Sequence, residues 1–204
     1  MTMNVLGQIG WTVAYPGLFY ILIVFTSQAF VFLFLPFILY SLYRFVVQIT
    51  YFPAALRMRR ILQTYPWRLL KTVPSGLGKH PNAEDDGMWF EFRNPSNSEE
   101  KIPMVFIKHQ RSHWWLKRLD GPRTKPHRRA EIEPLWFAGD PRFLAVVAAS
   151  DRGGEAPKRL HMLYQRPVFD SRRTLETWDA NSVDIEQARR AGAQYLDSTS
   201  QPRA

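Results

Sequence analysis

The chain has no cysteine. Disulfide frameworks, cysteine-based zinc sites, iron–sulfur clusters and cysteine nucleophiles are therefore excluded. It also contains no G-x-S-x-G, G-x-G-x-x-G or G-x-x-x-x-G-K-[ST], so neither a nucleophile elbow nor a phosphate-cradling glycine loop is supported. Glu84-Asp85-Asp86-Gly87 lacks the alternate spacing and terminal glutamate of a calcium loop and reads as a solvated acidic loop. No pair of carboxylates stands out for acid–base work, and no internal repeat is visible. The most informative absence is charge. Residues 1–43 contain no Lys, Arg, Asp, Glu or His, and the first charged side chain is Arg44.

The averages conceal this. The 204 residues are 46% hydrophobic and 22% charged, and mean hydropathy is -0.27. These are values of an ordinary soluble protein. With 14% aromatic residues the chain is not a solvated coil. Gly17–Tyr43 reads GLFYILIVFTSQAFVFLFLPFILYSLY, interrupted only by Thr26, Ser27, Gln28 and Ser41. As one helix it would be ~40 Å long, more than a hydrocarbon core of ~30 Å needs. A core helix of a soluble protein is rarely so apolar on every side. No basic region precedes the stretch and no small-residue cleavage site follows it, so it does not read as a cleavable leader. A retained transmembrane anchor over 1–52 is the expectation.

Two topologies fit. One is a single long, tilted helix, bent at Pro36 and emerging near Arg44, and this is the leading expectation. The other is a tight hairpin turning at Thr26-Ser27-Gln28, with helices near 5–25 and 29–51. Orientation is firmer. Arg44, Arg57, Arg59, Arg60, Arg68 and Lys71 put six positive charges and no acid into residues 44–71. Positive charge stays in the cytoplasm, so the C-terminal part is cytoplasmic under both topologies. A basic juxtamembrane helix over 53–71 follows, begun or kinked by Pro53 and ended by Tyr65-Pro66-Trp67. Arg44, Arg57, Arg59 and Arg60 are the membrane-surface candidates, as a topology signal or as contacts to anionic lipid.

From about residue 72 the pattern becomes strand-like. Residues 74–82 are turn chemistry. Met88–Arg93, Ile102–His109, His113–Leu119, Glu133–Ala138, Arg142–Ala149 and Arg159–Arg166 read as short strands, with Gly139-Asp140-Pro141 as a hairpin connection. The expected fold is a small antiparallel β barrel or sandwich over 72–170, behind the N-terminal membrane helix or hairpin. Residues 171–204 would hold a C-terminal helix, capped by Asn181 or Ser182 and running through Val183–Leu196, then a disordered tail.

The net charge of +9, with a pI of about 10.0, sits in two places: the collar beside the apolar segment and residues 101–129. The second stretch interleaves nine basic residues with aromatic ones. Lys108, Arg111, Trp114, Lys117, Arg118, Arg128 and Arg129 are the candidate binding residues, for nucleic acid or for anionic lipid head groups. The simpler reading makes Trp114 or Trp115 core and the cations a solvated face. His109 and His113 would lie ~13 Å apart on one strand, too far for one metal ion, and basic neighbours would repel the cation. No metal site, cofactor or catalytic residue is assigned. A hydrolase using His109 or His113 is the last alternative.

The layout resembles that of small uncharacterised bacterial inner-membrane proteins with an N-terminal hydrophobic anchor and a cytoplasmic β-rich domain. The resemblance rests on Tyr65-Pro66-Trp67 just after the collar and on Trp136-Phe137-Ala138-Gly139-Asp140-Pro141-Arg142-Phe143, and covers about residues 60–150. It implies inner-membrane localisation and no particular activity. The leading expectation is a membrane-anchored, non-enzymatic interaction or scaffold protein. Its partners would be the lipid bilayer and a membrane or cytoplasmic protein, with nucleic acid not favoured.

Overall fold

A computed structural model describes residues 2–25, 28–80, 87–107, 112–119, 124–150, 156–165 and 178–194. Two compact units make up the chain, 1–56 and 57–204.

The first unit is helical. α1 is Thr2–Phe25 and α2 is Gln28–Thr64, so the apolar stretch forms two helices and not the single one placed first above. They meet at Trp11. Trp11 of α1 meets Tyr40 of α2 edge-on with ring centroids 5.8 Å apart, and the Arg44 guanidinium lies 5.8 Å from the Trp11 ring centroid. Two hydroxyls in the apolar part of α2 bond back to the helix itself. Ser41 donates to the Ile38 carbonyl at 2.8 Å, and Thr50 to that of Val47 at 3.0 Å. Such back-bonding is how hydroxyls are tolerated in apolar helices. Pro53 neither starts nor ends a segment: α2 runs through it to Thr64. The expected separate juxtamembrane helix is therefore the last part of α2. The helix ends at Thr64, short of the expected 71, because Pro66 has no amide proton to continue it, and Arg68–Leu70 form a strand instead.

The second unit is built on seven short strands: β1 Arg68–Leu70, β2 Ser75–Gly78, β3 Gly87–Arg93, β4 Lys101–Phe106, β5 Leu135–Asp140, β6 Leu144–Ser150 and β7 Pro157–Tyr164. All pair antiparallel, in the order β1-β5-β6-β7-β4-β3-β2. In a flat sheet β5 and β3 would be ~19 Å apart, four strand spacings. Yet Phe92 of β3 and Phe137 of β5 touch, with centroids 4.6 Å apart. The sheet is therefore curled into a half-barrel with a packed interior. The two edge strands, β1 and β2, are joined by only residues 71–74. The predicted hairpin is present, with Leu135 opposite Ala149 and Asp140 opposite Leu144.

Alternate residues fill the concave side: Met88, Phe90 and Phe92, Met104 and Phe106, Leu135 and Phe137, Ala145, Val147 and Leu163. Two expectations fail here. His113–Leu119 is not a strand. It is a helical turn, α3 (His113–Leu116), continued by the bond from the Leu119 amide to the Trp115 carbonyl at 3.0 Å. Trp115 and Leu119, four residues apart, share a helical face and plug the half-barrel, 1% and 0% exposed. Residues 75–78, read as turn, form β2. Gly76 permits this, since a Cβ there would lie 2.1 Å from the Trp89 indole on the neighbouring strand. A short α4 (Pro126–Arg129) and a 3-10 turn at Ala130–Ile132 lead into β5.

β6 is buried along both faces. α5 (Ser182–Arg190) begins as expected. The Asn181 side chain accepts from the Asp184 amide at 2.9 Å, and the Asp184 carboxylate accepts from the Asn181 amide at 3.3 Å. It ends six residues earlier than expected. Gly192, at φ +103°, takes the left-handed cap position. The Ala193 amide bonds the Ala188 carbonyl, and the Gly192 amide that of Arg189, both at 2.9 Å, which is the Schellman closure. Gln187 of α5 donates to the carbonyl of Thr64 at 3.3 Å.

Candidate functional site

The most highly organised polar cluster lies at the β5–β6 turn. Asp140 ends β5, and Arg142 follows after Pro141. Arg142 is 3% exposed and Asp140 8%. The guanidinium is fully engaged. Its Nε donates to Asp140 Oδ1 at 2.9 Å, and one terminal nitrogen to Asp140 Oδ2 at 2.6 Å. That nitrogen also meets Asp184 Oδ2 of α5 at 2.8 Å, and the other donates to Ser96 Oγ at 2.8 Å. Burial pulls the Arg142 pKa down, but the bonds and charges of Asp140 and Asp184 outweigh it and hold the pKa above the usual arginine value. One side chain thus ties the hairpin, the β3–β4 connection and α5 together.

The two sequence elements on which the resemblance rested also meet. Trp67 packs edge-on against Trp136 with centroids 6.2 Å apart. The Tyr65 hydroxyl is buried and has no hydrogen-bond partner among the described residues. Burial raises its pKa, and the charges of Asp140 and Asp184 push it further, against a smaller lowering by Arg142. Tyr65-Pro66-Trp67 therefore docks the end of α2 on the strand that carries Trp136. This is an assembly role.

The expected binding residues fall into three groups. Lys108 and Arg111 lie outside the described residues, as does His109. Trp114, Lys117 and Arg118 gather on and just after α3. Arg128 and Arg129 sit on α4. Trp115 is the core tryptophan and Trp114 is half-buried. The Arg118 guanidinium stacks 3.9 Å from the Trp114 ring centroid and donates to Glu131 Oε2 at 2.7 Å and to the Trp114 carbonyl at 3.0 Å. Arg129 pairs with Glu133 at 3.5 Å. Lys117 and Arg128 are exposed.

Sequence reasoning missed Arg159. Its guanidinium lies 5.6 Å from the Trp114 centroid. On β6, Val147 pairs with His161 of β7 and Ala149 with Lys158, so Arg159 and Leu160 together oppose Ala148 in a β-bulge. Arg159 has φ 57°, a left-handed conformation that glycine adopts without strain. Trp115 Nε1 holds it there, donating to the Arg159 carbonyl at 3.1 Å. A bulge filled by arginine leaves no pattern in a single sequence.

The histidines are placed as follows. His113 is exposed on α3. His161, inside the half-barrel, has Nε2 3.4 Å from Ser112 Oγ and 3.0 Å from the Ile107 carbonyl, to which Ser112 Oγ also donates at 3.3 Å. A shared carbonyl acceptor holds a proton on that nitrogen, so it is not poised to deprotonate the serine. His80 is buried against Trp89, with Nε2 3.1 Å from Glu91 Oε2, and Lys101 lies 3.2 Å from Glu91 Oε1. Desolvation pushes the Glu91 pKa up, but the hydrogen bonds from His80 and Lys101 outweigh it, so the net shift is downward. A lowered carboxylate pKa contributes stability that is complete above the ordinary carboxylate range and lost as pH falls through the lowered value. Glu91→Gln is expected to lower the melting midpoint at pH 7, with the difference from wild type closing as pH falls through that range. A difference unchanged down to pH 3 would contradict it. Among the described residues, no three His, Asp or Glu side chains gather where a metal ion could sit.

No protein-family model, no curated protein and no solved structure matches the chain.

Proposed function

We propose that the chain is a membrane-anchored interaction or scaffold protein that presents a cytoplasmic half-barrel at the inner membrane. The observation that carries this reading is where apolar surface is exposed. Among the described residues, every exposed large hydrophobic side chain except Leu69, Leu116 and Val183 lies between Leu6 and Leu56. Leu6, Val13 and Phe37 are more than 60% exposed. In water so much apolar surface on one helical unit would be a liability, and in a bilayer it is the required exterior. Leu35–Thr64 is long and apolar enough to span, with mean hydropathy 1.2 over its best window. At 1.5 Å per residue α2 is ~55 Å long, so it outruns a ~30 Å core. Its last turns carry Arg57, Arg59 and Arg60 to the depth where anionic head groups attract them.

Two helices that meet at Trp11 and Tyr40 favour a hairpin, with both ends of the chain in the cytoplasm. The two best-organised polar clusters of the half-barrel support the non-enzymatic side of the reading, because their groups are engaged within the fold. Arg142 ties elements together, and Ser112 and His161 share a backbone acceptor. Turnover of an ester, peptide or nucleotide by the purified full chain would contradict this.

The absence of native cysteine makes the topology directly testable. With Thr2→Cys or Ser182→Cys as the sole thiol, a membrane-impermeant maleimide should label neither in intact cells and both after lysis. Labelling of Thr2→Cys alone in intact cells would mean a single crossing.

A further inference from the structure

We infer that Arg159, Trp114 and Lys117 form a binding site for a phosphate-bearing anion on the half-barrel. The inference deepens the expectation of anion binding over 101–129 and moves its centre to a residue outside that stretch. It does not depend on how the helices lie in the membrane.

Three observations carry it. Two guanidiniums, Arg118 and Arg159, lie over the same indole. Their surroundings differ. Arg118 is neutralised by Glu131 and its side chain is only 16% exposed, so it orients Trp114. Arg159 is exposed and makes no ion pair among the described residues, so its charge is available to a ligand. The backbone supplies the third observation. A left-handed bulge residue is glycine when only the turn matters, and here arginine occupies it against its conformational preference. Strain of this kind clusters at binding sites, where the surrounding fold over-determines it. In this fold Trp115 fixes the Arg159 carbonyl and Trp114 receives its side chain, so the guanidinium is pre-placed.

The chemistry selects the ligand. A planar guanidinium binds phosphate oxygens through two parallel N–H donors, which one ammonium cannot match. Exposed Lys117, on the same turn as Trp114, adds a second positive charge, suited to an anion of charge above one. A glycerophospholipid head group and a free phosphate share this chemistry. Single-stranded nucleic acid is the competing class. It would need bases stacked on Trp114, whose ring Arg118 already covers at 3.9 Å.

The test uses the full chain in neutral maltoside micelles. Inorganic phosphate, dihexanoyl phosphatidic acid and a short oligothymidylate are titrated while tryptophan emission is followed, at two salt concentrations. Saturable, salt-sensitive binding of the phosphate compounds is expected. A phosphatidic acid affinity at least tenfold above that of phosphate identifies a lipid head group, and equal affinities a free phosphate. Arg159→Gln should weaken binding at least tenfold, and Arg159→Lys should do so by less. Arg159→Gly should lose binding equally while melting no lower than wild type, because glycine relieves the left-handed strain. A purely structural role would lower the melting midpoint and leave binding alone. Wild-type affinity in both Arg159→Gln and Arg159→Gly would overturn the site. So would tighter binding of the oligothymidylate than of either phosphate compound.

Discussion

Arg142→Ala is expected to cost the half-barrel about 3–5 kcal/mol, because it strands Asp140 and Asp184 without their cation. Arg142 is 3% exposed and its guanidinium bonds three separate elements, so no solvent takes its place. For a domain of this size that loss lowers the melting midpoint by about 10 °C. Arg142→Lys should recover only part of it. A lysine keeps the charge but cannot hold Asp140 through two nitrogens while also reaching Ser96 and Asp184. Thermal unfolding of the full chain in detergent, followed by circular dichroism, measures both variants. A midpoint for Arg142→Ala within 2 °C of wild type would contradict the cluster's role in tying these elements together.

Gly139→Ala should be at least as severe. Gly139 sits in β5 at φ +142°, and a Cβ there would lie 2.4 Å from the Ala145 Cα and 2.5 Å from the Leu144 carbonyl oxygen. Both are backbone atoms of the paired strand and cannot rotate away. Conformational strain and overpacking together come to about 2–6 kcal/mol, a large part of the ~5–15 kcal/mol that holds a typical domain. The expected result is loss of the cooperative unfolding transition, or a midpoint lowered by 10 °C or more. By contrast, Ala substituted at Gly10, where a Cβ meets nothing within 4 Å, should leave the transition in place. Equal behaviour of the two variants would contradict the tight pairing of β5 with β6.

What the sequence disclosed follows from how local each signal is. The charge-free run was legible because forty residues repeat one message. The β5–β6 hairpin was legible because Gly139-Asp140-Pro141 marks its turn, and the start of α5 because Asn181 and Asp184 form a capping pair. The end of α5 was misplaced because Gly192 was read as an ordinary helical residue, when its left-handed φ closes the helix. α3 was misread because Trp114, Trp115 and Leu119 satisfy both strand-like aromatic enrichment and a four-residue helical spacing. Only the curl of the sheet, which leaves a mouth for Trp115 to fill, decides between them. β2 was hidden because Ser75-Gly76-Leu77-Gly78 is turn-like in composition, and its pairing depends on the distant Trp89.

The site was less legible still. Trp114 and Arg118 were found because they stand in a basic, aromatic stretch. Arg159 was not, since its importance comes from a bulge opposite Ala148 and from a ring forty-five positions earlier in the chain. Arg142 was noticed only as part of a short motif. Its grip on Asp184 spans elements that no single-sequence pattern connects.

That α1 and α2 are embedded in lipid is tested most directly by alkaline carbonate extraction of cell membranes. The full chain should remain in the membrane pellet at pH 11 and enter the soluble fraction only when detergent is added. Recovery of most of the chain in the carbonate supernatant would contradict it, because a peripheral or soluble protein is released by that treatment and a lipid-embedded hairpin is not.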